Sequence, residues 1–228
     1  MIKKKPLNRL SGFFRVVFYL CRMNFLKWLR ANLAFFIPYG LLFIATGIWQ
    51  IGYRQEIISL WVNQHNSIWA DVFFKYATYL GDGRFCVAVG LLFLFWSRRK
   101  GLLILGAFAV SGLISQLIKT QFFPQEPRPA QYFAKTLNHL HQVPGVELHL
   151  WNSFPSGHTT SAFALFALLA FWTKNPVYKI VWLLVAATVG YSRMYLLQHF
   201  MIDVWAGSLL GTAAAVIMER NVSLKLGV

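Results

Sequence analysis

From residue 33 onward the chain alternates long apolar runs with short polar breaks. Runs at roughly 33–51, 84–97, 101–118, 158–173, 177–195 and 200–218 approach the ~20 residues a helix needs to cross the hydrocarbon core of a bilayer. The second run is short and is expected to begin upstream, near Tyr79, and Pro38 marks a candidate kink in the first. Ahead of them, residues 11–30 mix aromatic and basic positions, with Arg15, Arg22 and Lys27 interrupting the apolar ones. That mixture predicts an amphipathic helix lying on the inner leaflet, drawn to anionic headgroups. Between the first two runs, Trp61, Trp69, Phe73, Phe74, Tyr76 and Tyr79 recur at helical spacing, as expected of an interfacial helix. Gly81-Asp82-Gly83 then reads as a turn. The pattern predicts an all-α fold, a six-transmembrane-helix bundle with an amino-terminal interfacial amphipathic helix. Its two parts are a basic cytoplasmic or interfacial segment over 1–32 and a membrane domain over 33–228.

Composition sharpens this reading. Hydrophobic residues make up 57% and charged residues 13% of the 228, against the roughly one quarter charged that is usual in soluble domains. The net charge of +15 raises the question of nucleic acid, but its distribution argues against it. Lys3, Lys4, Lys5, Arg9, Arg15, Arg22, Lys27 and Arg30 precede the first run, and Arg98-Arg99-Lys100 forms an expected turn between two later ones. The positive-inside rule places both clusters in the cytoplasm, together with the Lys174–Lys179 turn and the carboxyl terminus. No basic stripe of the kind that follows a nucleic-acid backbone is formed. Cys21 and Cys86 offer neither a disulfide framework nor metal-ligand spacing. No cleaved leader is expected, because the basic region reaches Arg30 and no small-residue cleavage site clearly follows the first run.

This topology brings three polar clusters to the outer ends of spans. Lys119 precedes "PQEPRP", which contains Arg128; "FPSGHTTSAF" holds Ser156, Gly157 and His158; "YSRMYLLQHFMID" holds Arg193, His199 and Asp203. Charged groups at a bilayer are costly, and so are functional candidates by default. Ser156-Gly157-His158 opens a helix, whose free N–H groups and positive dipole end suit an anion. Lysine and arginine add fixed charge, and the guanidinium fork matches phosphate oxygens in pairs. His199 and Asp203, four apart, are expected on one helix face. The carboxylate can hold one ring nitrogen while the other faces phosphorus, and His158 can protonate a departing oxygen. Singly, each feature has an ordinary reading: a snorkelling lysine, a serine cap, a structural His–Asp contact. Together, on one side of the membrane, they converge on a phosphate monoester. His139, His141 and His149 read as loop histidines rather than zinc ligands, since His149 is distant and the other two share a face only in an extended segment.

The order K…RP, PSGH, SR-x5-H-x3-D resembles the signature of the type-2 phosphatidic acid phosphatase superfamily, which includes membrane lipid phosphatases and soluble vanadium-dependent haloperoxidases. The second and third motifs match the family pattern without gaps. The first departs from it, since eight residues separate Lys119 from Arg128 where the family usually has six. The resemblance implies that His199 attacks phosphorus to form a phosphohistidine, that Asp203 orients it and that His158 protonates the leaving group. It implies that Lys119, Arg128, Arg193, Ser156 and the Gly157 amide hold the phosphate oxygens, without a metal or other cofactor. The implied partners are the bilayer and a membrane lipid phosphate: undecaprenyl pyrophosphate, phosphatidylglycerol phosphate, phosphatidic acid or a lipid A phosphate. The expected location is a bacterial inner membrane, with the site facing the periplasm. Two alternatives stay open at this point: a vanadate-dependent haloperoxidase-like enzyme, and a non-catalytic protein that binds or transports lipid phosphates.

Overall fold

The computed structural model describes residues 25–225, with side chains as far as Arg220. Most of the amphipathic helix expected over 11–30 therefore lies outside the described residues, although 25–31 is helical. Among the described residues all regular structure is helical. The long helices are α1 (Leu33–Gly52), α4 (Gly83–Trp96), α5 (Arg98–Leu117), α6 (Gly157–Trp172), α7 (Pro176–Tyr195) and α8 (Met201–Lys225); the short α2 (Gln55–Gln64) and α3 (Ile68–Ala77) join α1 to α4.

Helix α6 is the centre of the molecule. It is apolar on every face, the pattern of a helix surrounded by protein, and nearly all of its side chains are buried. It packs between α5, α7 and α8. The contact with α8 depends on small residues. A Cβ on Gly207 would lie 2.7 Å from the Ser156 carbonyl oxygen, and one on Gly211 would lie 2.3 Å from that of Thr160. Glycines four apart allow two backbones to touch in this way. The touch sets the start of α6 against the start of α8, where the candidate chemistry lies.

Several expected boundaries move for local reasons. The second span does not run continuously from Tyr79. A 3-10 turn over Thr78–Gly81 ends at Asp82, whose carboxylate caps α4 through Arg84 N at 2.7 Å, and the two pieces meet at 55°. Arg98–Lys100 is not a turn but the first turn of α5, because Ser97 caps it. Lys179 lies inside α7 and is buried, its Nζ donating to Asn32 Oδ1 and to the Ala170 carbonyl near the end of α6. The interfacial segment forms two helices. On α3, Ile68, Trp69, Val72, Phe73 and Tyr76 are exposed, while the Phe74 ring packs, tilted, against those of Tyr191 and Tyr195 of α7.

Among the described residues three helices are long and apolar enough to cross a membrane: α1, α5 with the turn that continues it to Phe122, and α8 as far as Arg220. The bent pair Ile68–Gly81 and Gly83–Trp96 makes a fourth if it counts as one span. Length and composition alone thus identify three or four crossings among the described residues. Helix α6 is short, at 16 residues, and α7 carries Lys179 and Arg193.

Candidate active site

Each predicted site residue owes its position to a local device. Ser156 is the N-cap of α6: its hydroxyl accepts from Thr159 N at 3.4 Å and from Thr159 Oγ1 at 2.9 Å. The Ser156 O–H is thereby left free to donate. The Gly157 and His158 amides, in the first turn, have no intrahelical acceptor. Asp203 is the third residue of α8 and reaches back to accept from Phe200 N at 2.9 Å, as the acidic member of a capping box does. His199 precedes the helix instead of sharing its face as expected. It lies in the connection from α7, where Leu197 has a left-handed φ of 54°. Leu197 N donates to Met194 O, and Gln198 N to Arg193 O, at 3.1 and 2.9 Å, the bonding pattern of a Schellman helix end. This tight reversal places the ring of His199 over Asp203, with Nδ1 3.2 Å from Oδ2.

The cations arrive from three other elements. Lys119 sits on a π turn over Ile118–Phe122 and donates to the carbonyls of Asn152 and Ser153 at 2.8 and 3.1 Å. Two of its three N–H groups are so engaged. The irregular spacing before Arg128 is accommodated by this turn and by Gln125, at φ 61°. Arg128 donates to Trp151 O at 2.9 Å, to Gln198 O and Oε1 at 3.3 and 3.4 Å, and to Asn152 O at 3.4 Å. Arg193, on the last turn of α7, donates from Nη1 to Thr78 Oγ1 at 2.8 Å, while its buried Nε has no hydrogen-bond partner among the described residues.

These groups lie close together. His199 is 2% exposed and Asp203 1%, whereas Arg128, Gly157 and His158 are only partly covered. Burial drives the His199 pKa well below its ordinary value, and the charges of Arg128, Arg193, Lys119 and His158 act in the same direction. Its imidazole is therefore neutral at physiological pH, with a lone pair available. Burial also lowers the pKa of Arg128, against the opposing pull of Asp203. The structure thus brings all eight predicted site residues together. Chemically, the pocket can surround an anion with cations, amide N–H groups and a hydroxyl while setting a neutral imidazole beside it.

Ser153, Gln198 and Thr78 were not anticipated as site residues, although each contacts one that was. Ser153 and Gln198 immediately adjoin motif residues, a signal too weak to single them out. Thr78 had none, because only folding sets the 3-10 turn against α7. Of the loop histidines, His139 and His149 are exposed, as expected, whereas His141 is half-buried. His141 Nε2 lies 2.8 Å from Asp71 Oδ1, which also accepts from Tyr195 OH. Among the described residues no three His, Cys, Asp or Glu side chains form a metal-holding group.

Comparison with known proteins assigns the family. The sequence pattern of the PAP2 superfamily matches residues 100–225, and the chain belongs to that superfamily. Bacitracin transport permease protein BcrC of Bacillus licheniformis is 31% identical over 112 residues, 49% of this chain and 50% of that protein. Lipid A 1-phosphatase of Porphyromonas gingivalis is 39% identical over 62 residues, 26% of this chain and 14% of that one. The chain thus spans half or less of the length of these two relatives. Among solved structures, LpxE of Aquifex aeolicus superposes with a TM-score of 0.62 at 28% identity, over 72% of this chain and 93% of that one. A PAP2-type phosphatidylglycerolphosphate phosphatase from Bacillus subtilis superposes at 0.61 and 23% identity, over 82% and 95%, and shares the fold. With its apolar helices and bacterial membrane relatives, the chain is an integral membrane protein of bacterial type.

Proposed function

We propose that the chain hydrolyses a phosphate ester or anhydride of a membrane lipid. The observation that carries this reading is the buried His199, held by Asp203, with the charges of Lys119, Arg128 and Arg193 brought to it from three separate elements. His199 Nε2 attacks phosphorus and the bond to the leaving oxygen breaks, giving a phosphohistidine; Asp203 balances the charge that develops on the ring. His158 donates a proton to the departing oxygen. It then takes one from water, which attacks the phosphohistidine, frees inorganic phosphate and restores His199. Ser156 O–H, the Gly157 amide and the three cations stabilise the equatorial oxygens, the largest contribution in reactions of this kind. Because these groups supply the positive charge, the reaction is expected to run without a metal. Helices α1 and α4 to α8 would each cross the bilayer, which puts the pocket at the outer, periplasmic face.

The test is release of inorganic phosphate by the purified protein. The panel comprises undecaprenyl pyrophosphate, phosphatidylglycerol phosphate, phosphatidic acid and a lipid A phosphate. One of these should turn over, and His199→Ala should abolish turnover while leaving the protein inserted. Full activity in His199→Ala, or no release from any member of the panel, would refute the proposal.

A further inference from the structure

Asp203 Oδ2 is a crowded atom. It accepts from Phe200 N at 2.9 Å, lies 3.2 Å from His199 Nδ1, and takes a short bond from the hydroxyl of Ser153. Ser153 is completely buried, and its Oγ also stands 3.5 Å from His199 Nδ1. An amide N–H can only donate, and so can a hydroxyl facing a carboxylate. The carboxylate is thus a pure acceptor here, and the proton of the neutral imidazole belongs on Nδ1, leaving the Nε2 lone pair free. The segment carrying Ser153 is itself anchored. Its N–H donates to Glu126 O at 3.1 Å, and its carbonyl accepts from Lys119 Nζ.

Resting on the phosphatase reading above, we propose that Ser153 is a positioning residue for the nucleophile: its hydroxyl fixes the Asp203 carboxylate, so that His199 keeps its proton on Nδ1 and turns Nε2 toward phosphorus. Without the hydroxyl the carboxylate can rotate about its last bond, and its charge is less satisfied. It then attracts a protonated imidazole more strongly, so the His199 pKa rises. The other charged or titratable groups facing His199 are Arg193 from α7, Arg128 from the loop, Lys119 from the π turn and His158 from α6. None of them contacts Ser153 Oγ, so the change is specific to Asp203. Orientation of this kind acts on the chemical step, whereas phosphate binding rests on other groups.

Histidine 15N NMR of the detergent-solubilised protein reads the tautomer and titration of His199 without requiring turnover. Ser153→Ala should raise its pKa, move the acidic limb of kcat/KM to higher pH, and lower kcat about tenfold with KM within about twofold. Ser153→Cys, similar in size but a weaker donor, should fall between serine and alanine, and it serves alone if the alanine variant does not fold. An unmoved His199 titration in the folded variants overturns the proposal whatever happens to turnover. So does a fall in kcat accompanied by an equal rise in KM. If the unmodified protein released no phosphate from any lipid, the phosphatase reading would fail separately, and the NMR titration would still decide the role of Ser153.

Discussion

The main-chain N–H of Ser156 donates to the main-chain oxygen of Asp203 at 3.0 Å. This one bond joins the N-cap of α6 to the first turn of α8, and so joins the proposed anion cradle to the base of the His199–Asp203 pair. The two halves of the pocket cannot separate unless α6 and α8 separate, and Gly207 and Gly211 hold those helices in backbone contact.

That contact makes Gly211 a strict requirement. A methyl group there would meet the Thr160 carbonyl at 2.3 Å, and backbone cannot yield as a flexible side chain can. Gly211→Ala should destabilise the protein by about 1–3 kcal/mol and reduce activity along with it. Gly112→Ala, where nothing lies within 4 Å, should be neutral in the same thermal unfolding assay.

Arg193 tests geometry against charge. Arg193→Lys keeps the charge but loses the fork that bonds Thr78 at one end and leaves Nε free for an anion. Loss of one aligned donor to a developing charge costs about 100- to 1000-fold, and kcat/KM should fall by about that much. Thr78→Val removes only the orienting contact and should raise KM several-fold. A fully active lysine variant would show that charge alone suffices.

The role given to His158 predicts a dependence on the leaving group. A positioned acid contributes about 100- to 10,000-fold when the departing oxygen is a poor leaving group. His158→Ala should therefore lose turnover of a lipid alkyl phosphate but retain much more activity on an activated aryl phosphate. Equal losses on both would assign His158 to phosphate binding instead.

His199 sets a pH dependence whose sign follows from its lowered pKa. The unfolded chain takes up a proton near the ordinary histidine value of about 6.5, while the folded imidazole resists until well below it. As pH falls through that window the unfolded state binds the extra proton, so the native protein loses stability; above the window His199 contributes no such penalty. In the folded protein its 15N signals should remain those of a neutral ring at pH 6. A ring half protonated at pH 6.5 would contradict the burial of this site.

Vanadate, a mimic of pentacoordinate phosphorus, should compete with substrate. Arg128→Gln, at the partly open edge of the pocket, should weaken that inhibition about tenfold or more, as read from the inhibition constant.

The sequence by itself determined much of this protein. The apolar runs located α1 and α4 to α8 within a few residues, except that α8 continues to Lys225, beyond the run that ends at 218, because a helix in apolar surroundings satisfies its own backbone. The motifs picked out eight residues that the fold then brings together, because holding an anion draws on few residue types in few spacings. Tertiary structure decided what local pattern does not encode. His199 meets Asp203 through a reversal closed by Leu197 rather than along a helix face. Lys179 is buried because Asn32 and the end of α6, distant or unmarked in the sequence, receive its protons. Ser153 and Thr78 join the site only because chain segments 50 and 115 residues from their partners fold against them. A hydrogen bond depends on where two atoms lie, and the position of an atom in a bundle is set by every helix packed around it.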